Sequence, residues 1–104
     1  MSISISSPLP NATVSSPFPV DGSYTVSGNG GQINLYVYQS DGTTPLSGTS
    51  IFPGGIAIPP GQTTGTWEFT VTHSGAYNGA VIKAVLTPTG DPPVAANVTG
   101  IDIR

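Results

Sequence analysis

One hundred and four residues suffice for one domain around one hydrophobic core. Two basic residues, Lys83 and Arg104, stand against five acidic ones, a net charge of −3; this excludes nucleic acid and anionic membrane surfaces, which require several cations to neutralise phosphates. The absence of cysteine excludes disulfides and thiolate chemistry, and no apolar run approaches the ~20 residues of a membrane-spanning helix, so membrane insertion is not expected.

Gly 14 and Pro 11 make up almost a quarter of the chain, a composition that suits many short strands joined by tight turns. Alternation of apolar and polar residues dominates, and no segment has a helical period. Strand A is predicted over residues 2–6, with Ile3 and Ile5 inward. No signal-peptide pattern follows Met1, so either export information has been trimmed away or the native protein starts at this strand. A proline-punctuated crossing, Ser7-Pro8 to Ser16-Pro17, leads into strand B over 18–27. There Phe18, Val20, Tyr24 and Val26 share a face with Gly22. Gly28-Asn29-Gly30-Gly31 forms a turn of residues that tolerate positive φ.

Strand C is predicted over 32–39, with Ile33, Leu35 and Val37 on one face and Asn34, Tyr36 and Tyr38 on the other. Ser40-Asp41-Gly42-Thr43 is a hairpin-type turn. Residues 44–65 are less regular. Ile51-Phe52 and Ile56/Ile58 mark one or two short edge strands, and Pro45, Pro53, Pro59 and Pro60 remove donors that would otherwise invite pairing with another chain. Strand E spans 66–73 with Trp67, Phe69 and Val71 inward, strand F spans 80–87, and strand G spans 94–103. In strand G, Val94, Ala96 and Val98 share one parity while Ile101 and Ile103 share the other. A β-bulge at Thr99-Gly100 would keep both sets in the core. Seven or eight strands with turn signals every eight to twelve residues predict a single all-β, immunoglobulin-like or fibronectin-III-like antiparallel sandwich over 1–104.

The run Ser7-Pro8, Val14, Ser16-Pro17, Val20 and Gly22 resembles the opening of Gmad2-type bacterial immunoglobulin-like domains, first described in spore-germination proteins. It is also similar to the wider set of bacterial immunoglobulin-like and fibronectin-III-like modules. The resemblance covers the N-terminal third and implies a domain that binds or spaces, with no catalytic residues to carry over.

The residues themselves offer little catalytic chemistry. His73 is the sole histidine, and no spacing supplies the oriented base and exposed nucleophile of a triad, so it reads as a partly exposed strand-end residue. Asp21, Asp41, Asp91 and Asp102 are scattered. A weak calcium site would need Asp41 and Asp91 brought to one end of the sandwich, and one histidine without cysteine cannot hold zinc. No metal or cofactor is therefore expected, and no enzymatic activity. Trp67 beside Phe69 reads as core, the alternative being an exposed sugar-stacking platform. Asn11-Ala12-Thr13 and Asn97-Val98-Thr99 match the glycosylation pattern, which strands rich in Ser and Thr generate by chance. The glycine-rich turn lacks the Lys-Ser/Thr and following helix of a phosphate loop.

Tyr36 and Tyr38 are the candidate binding residues. They sit opposite the apolar face of strand C and either cover the sheet or form an interface, where tyrosine buries area at low entropic cost. The expected partner is a protein or a second copy, with a glycan as a further candidate. A start at Met1 and a charge-poor surface suggest a structural decoration protein on a viral particle. The alternative is a binding or spacer module of a secreted or cell-surface bacterial protein, carbohydrate-binding in one version.

Overall fold

The computed structural model describes Met1–Arg104, and every regular element in it is a strand. They are β1 (Ser2–Ser7), β2 (Thr13–Val14), β3 (Phe18–Thr25), β4 (Gly31–Tyr38), β5 (Thr49–Phe52), β6 (Ile56–Ile58), β7 (Thr64–His73), β8 (Tyr77–Pro88) and β9 (Val94–Ile103). They form two sheets, β1-β3-β7-β5 and β2-β9-β8-β4-β6. The architecture is an immunoglobulin-like β-sandwich.

Alternation determines the inner faces. Phe18, Val20 and Tyr24 of β3 meet Trp67, Phe69 and Val71 of β7 in one layer, and Ile33, Leu35, Val37, Ile82, Ala84 and Leu86 fill the other. The ladder pairs Val20 with Phe69 and Leu35 with Ala84, so large and small side chains face each other in register. Trp67 and Phe69 pack with ring centroids 5.8 Å apart at 59°, and the indole Nε1–H donates to the carbonyl of Ser23 at 3.3 Å. Trp67 is only 3% exposed, so its ring is core and cannot serve as a sugar platform.

The strands number nine, beyond the expected seven or eight, because two of the chain's changes of sheet add short strands. The first change falls in the proline-punctuated crossing. β1 pairs antiparallel with β3, and after Pro10 the chain lies along β9 as β2, parallel to it through Thr13 and Val14. Two residues of strand leave almost no alternation to read, so β2 was not legible. The second change follows β4: β5 pairs with β7 in one sheet, and three residues later β6 pairs with β4 in the other.

Thr99-Gly100 does form a bulge. Ala80 faces Ile101 and Ile82 faces Val98, so three steps on β9 span two on β8. Gly100 adopts φ +71° there, and Val98, Ile101 and Ile103 are all buried. A second irregularity lies between Tyr77 and Ala80, where Gly79 (φ +82°) donates its N–H to the Asp102 carboxylate at 3.0 Å. That acid is thus part of the ladder's own bonding.

The outer faces differ in chemistry. The β1-β3-β7-β5 sheet shows water a lattice of hydroxyls, with Ser2 bonded to Thr25 at 2.7 Å and Ser4 to Ser23 at 2.9 Å. The other sheet places Tyr36 opposite Lys83, Tyr38 opposite Val81, and Asn34 opposite Val85.

Candidate functional site

Tyr36 and Tyr38 lie on the outer face of β4, as strand alternation requires once Ile33, Leu35 and Val37 point into the core. Their rings stack, centroids 6.2 Å apart and 18° from parallel. Tyr36 is 44% exposed and Tyr38 is half-buried. Their ladder partners Lys83 and Val81 extend the patch onto β8; Val81 is buried despite its outward parity.

A groove of about 390 Å³ adjoins the pair. Leu35, Val37, Leu46 and Ile51 line it from below, Tyr36 and Tyr38 form its rim, and Pro45 and Thr49 complete it. None of these residues carries a carboxylate or an amine. The groove exists because the chain leaves β4 to cross to the other sheet. Leu46 N–H still bonds to the Val37 carbonyl at 3.1 Å, and Pro45 bridges Tyr38, but the following residues depart to form β5. They return as β6 beside Gly31–Ile33 only. The middle of the β4 edge therefore has no neighbouring strand. The tyrosines were legible from alternation. Leu46 and Ile51 were not, because they come from the irregular stretch and reach the site only through the sheet crossing.

Of the remaining candidates only His73 touches this site, through Thr49. His73 is buried rather than partly exposed: it lies on the inward parity of β7 and is paired with Thr49 at the start of β5. Its Nδ1 lies 2.9 Å from Thr49 Oγ1, and its backbone N–H donates to Ser16 Oγ at 2.8 Å. Thr49 also lines the groove, so His73 reaches that site only through this hydroxyl. Asp41 is committed to its own turn, accepting from the Thr43 and Thr44 N–H groups at 2.9 Å and from the Thr44 hydroxyl. The Thr44 hydroxyl, then the Thr44 and Thr43 N–H groups, hold its carboxyl down at about 2. Asp91 is in a different turn, and no group of three or more His, Cys, Asp or Glu side chains comes together. A second hollow, about 460 Å³, lies on the hydroxyl face between Asp21 and Glu68. These two acids face each other directly in the ladder, a pairing that disfavours a close contact between their carboxylates.

No family model matches the chain, and no curated protein matches it in sequence. Solved structures do share its fold. The E. coli chaperone DraB superposes with a TM-score of 0.69 at 10% identity, over 99% of this chain and 55% of DraB. The periplasmic chaperone SfaE gives 0.66 at 7% identity, over 99% and 57%. A chain of the CsuC–CsuE chaperone–tip adhesion subunit pre-assembly complex from Acinetobacter baumannii gives 0.65 at 12% identity, over 99% and 51%. This chain thus spans about half the length of the chains it resembles.

These likenesses overturn the expectation of a virion decoration protein. The structures compared above are two chaperones and a chaperone–tip adhesion subunit complex, and none of them is a particle protein. That expectation rested on the starting residue and the scarcity of charge, and neither specifies a partner. The secreted spacer module finds no support among them either, and its carbohydrate version loses its platform with the burial of Trp67.

Proposed function

We propose that this chain is a non-enzymatic, protein-binding domain that holds a subunit of an extracytoplasmic assembly, as a chaperone does, through the Tyr36–Tyr38 face and the groove beside it. The observation that carries the reading is the pairing of stacked, solvent-facing tyrosines with an uncharged apolar groove on one side of an otherwise polar sandwich. Tyrosine is enriched at the centre of protein interfaces, where an aromatic ring fills a desolvated pocket and its hydroxyl keeps a polar contact. The similar structures support a protein partner: they include the SafA pilin in complex with the SafB chaperone and the CsuC–CsuE pre-assembly complex. The periplasmic setting of SfaE supports an extracytoplasmic location. The reading requires no cofactor.

The test is a photo-crosslinking amino acid placed at Tyr36 in cells, with Ser23 on the hydroxyl face as control. One dominant protein adduct from the Tyr36 position, absent from the Ser23 position, is the expected result. Equal adducts from both faces, or none from Tyr36, would overturn the reading. With the partner identified, replacing both tyrosines by alanine is expected to weaken binding by about 2 kcal/mol or more, the cost of removing aromatic anchors.

A further inference from the structure

We infer that the groove accepts an extended, uncharged segment of the partner, which forms a short antiparallel bridge to Leu35 and places one apolar side chain between Leu46 and Ile51. This rests on the reading above and specifies how the partner is held. In a strand, the hydrogen-bonding groups of successive residues point to alternate edges. The Val37 carbonyl accepts from Leu46 on the edge away from β8. Leu35, two residues earlier, presents its N–H and C=O at that same edge. β6 stops at the Ile33–Ile56 pair, and the Pro45 bridge begins at Tyr38, so no strand pairs with Leu35 on this side. Gly54 lies against Asn34, its carbonyl accepting from the Asn34 side-chain amide at 3.3 Å, and Leu46 closes the edge at Val37, so the open position is Leu35 itself, room for a one-residue bridge.

The register of such a bridge determines where the incoming side chains go. A residue that exchanges both backbone bonds with Leu35 projects its side chain to the same face as Leu35, inward. That direction leads into the groove against Leu46 and Ile51. Its two neighbours project outward, beside Asn34 and Tyr36. The charge complement is equally specific. No residue lining the groove carries a charge, so an inserted carboxylate or ammonium would be stripped of water with no counter-ion. The central residue of the segment is therefore neutral and apolar.

The experiment leaves the protein unaltered and varies the probe. The 15N-labelled chain is titrated with blocked Ser-Leu-Ser, the same peptide with aspartate at the centre, and the same peptide with an N-methylated leucine. The leucine peptide is expected to shift the Leu35, Val37 and Leu46 amides saturably. The aspartate and N-methyl peptides are each expected to bind at least about tenfold more weakly, since the first adds an uncompensated charge and the second removes the donor to the Leu35 carbonyl. Shifts spread over the hydroxyl sheet, equal binding of the leucine and aspartate peptides, or no response to the leucine peptide would overturn the inference. If crosslinking from Tyr36 persists while the peptides fail, only this mode of docking falls; if both fail, the reading beneath it falls too.

Discussion

Gly22 is held by what surrounds it. A Cβ there would sit 1.8 Å from the Ser4 carbonyl oxygen and 2.7 Å from Trp67 Cζ2. β1 is drawn onto β3, and the indole closes over the pair, leaving space for hydrogen alone. Gly22→Ala is expected to destabilise the fold by about 3 kcal/mol, the upper range of overpacking costs, measured by urea denaturation. Gly100 is constrained differently: it combines φ +71° with a Cβ position 2.2 Å from Asn11 Oδ1, so alanine there disturbs both the bulge and the β2 approach. Asp41 makes a pH-dependent contribution. Its carboxyl is depressed from 3.8 to about 2 by hydrogen bonds to the ionised form, led by the Thr44 hydroxyl. A depressed acid stabilises the native state above its unfolded value, and that contribution is lost as pH falls through about 2. NMR titration of the Asp41 side chain is expected to show its midpoint near 2, and Asp41→Ala is expected to flatten the acid limb of the stability curve between 3.8 and about 2.

At the scale of elements, β9 shows how a strand is read. Its two parities were visible in the sequence, and only an extra residue reconciles them. Deleting Gly100 would move either Val94–Val98 or Ile101–Ile103 to the solvent face. The deletion variant is expected to be unfolded or insoluble, judged by circular dichroism and by the soluble fraction on expression. Pairing in β8 gives the complementary case. Ile82 is fully buried between β4 and β9, so Ile82→Ala is expected to cost about 2–5 kcal/mol through lost transfer energy and the cavity left behind. Long strands were legible because each has several alternating positions. β2, with two residues, and the sheet changes around β5 and β6 were not, because they are set by where the chain is already anchored.

For the molecule as a whole, scarcity of charge has a physical consequence. Lys83 and Arg104 are the only basic side chains. Stability must therefore rest on the apolar core and the backbone ladders, and screening has little to act on. Raising sodium chloride from about 0.05 to 0.3 M is expected to shift the Tm by less than about 2 °C, a change scanning calorimetry can measure. The two sheets also divide the surface between hydroxyls and tyrosines, so the molecule has one face suited to water and another suited to a partner.

The sequence by itself determined the fold class, the inward residues of every long strand, the bulge in β9 and the outward direction of Tyr36 and Tyr38. All of these follow from alternation, a local property that survives without knowledge of neighbours. Tertiary structure alone decided the groove. Leu35 and Ile51 are 16 positions apart and belong to different sheets. They meet because the chain leaves β4, crosses the sandwich and returns, and that crossing is settled by pairing energy along the whole of β7 and β8. The burial of His73 had the same origin, since it depends on which segment lies beside β7 and not on anything next to it in the chain.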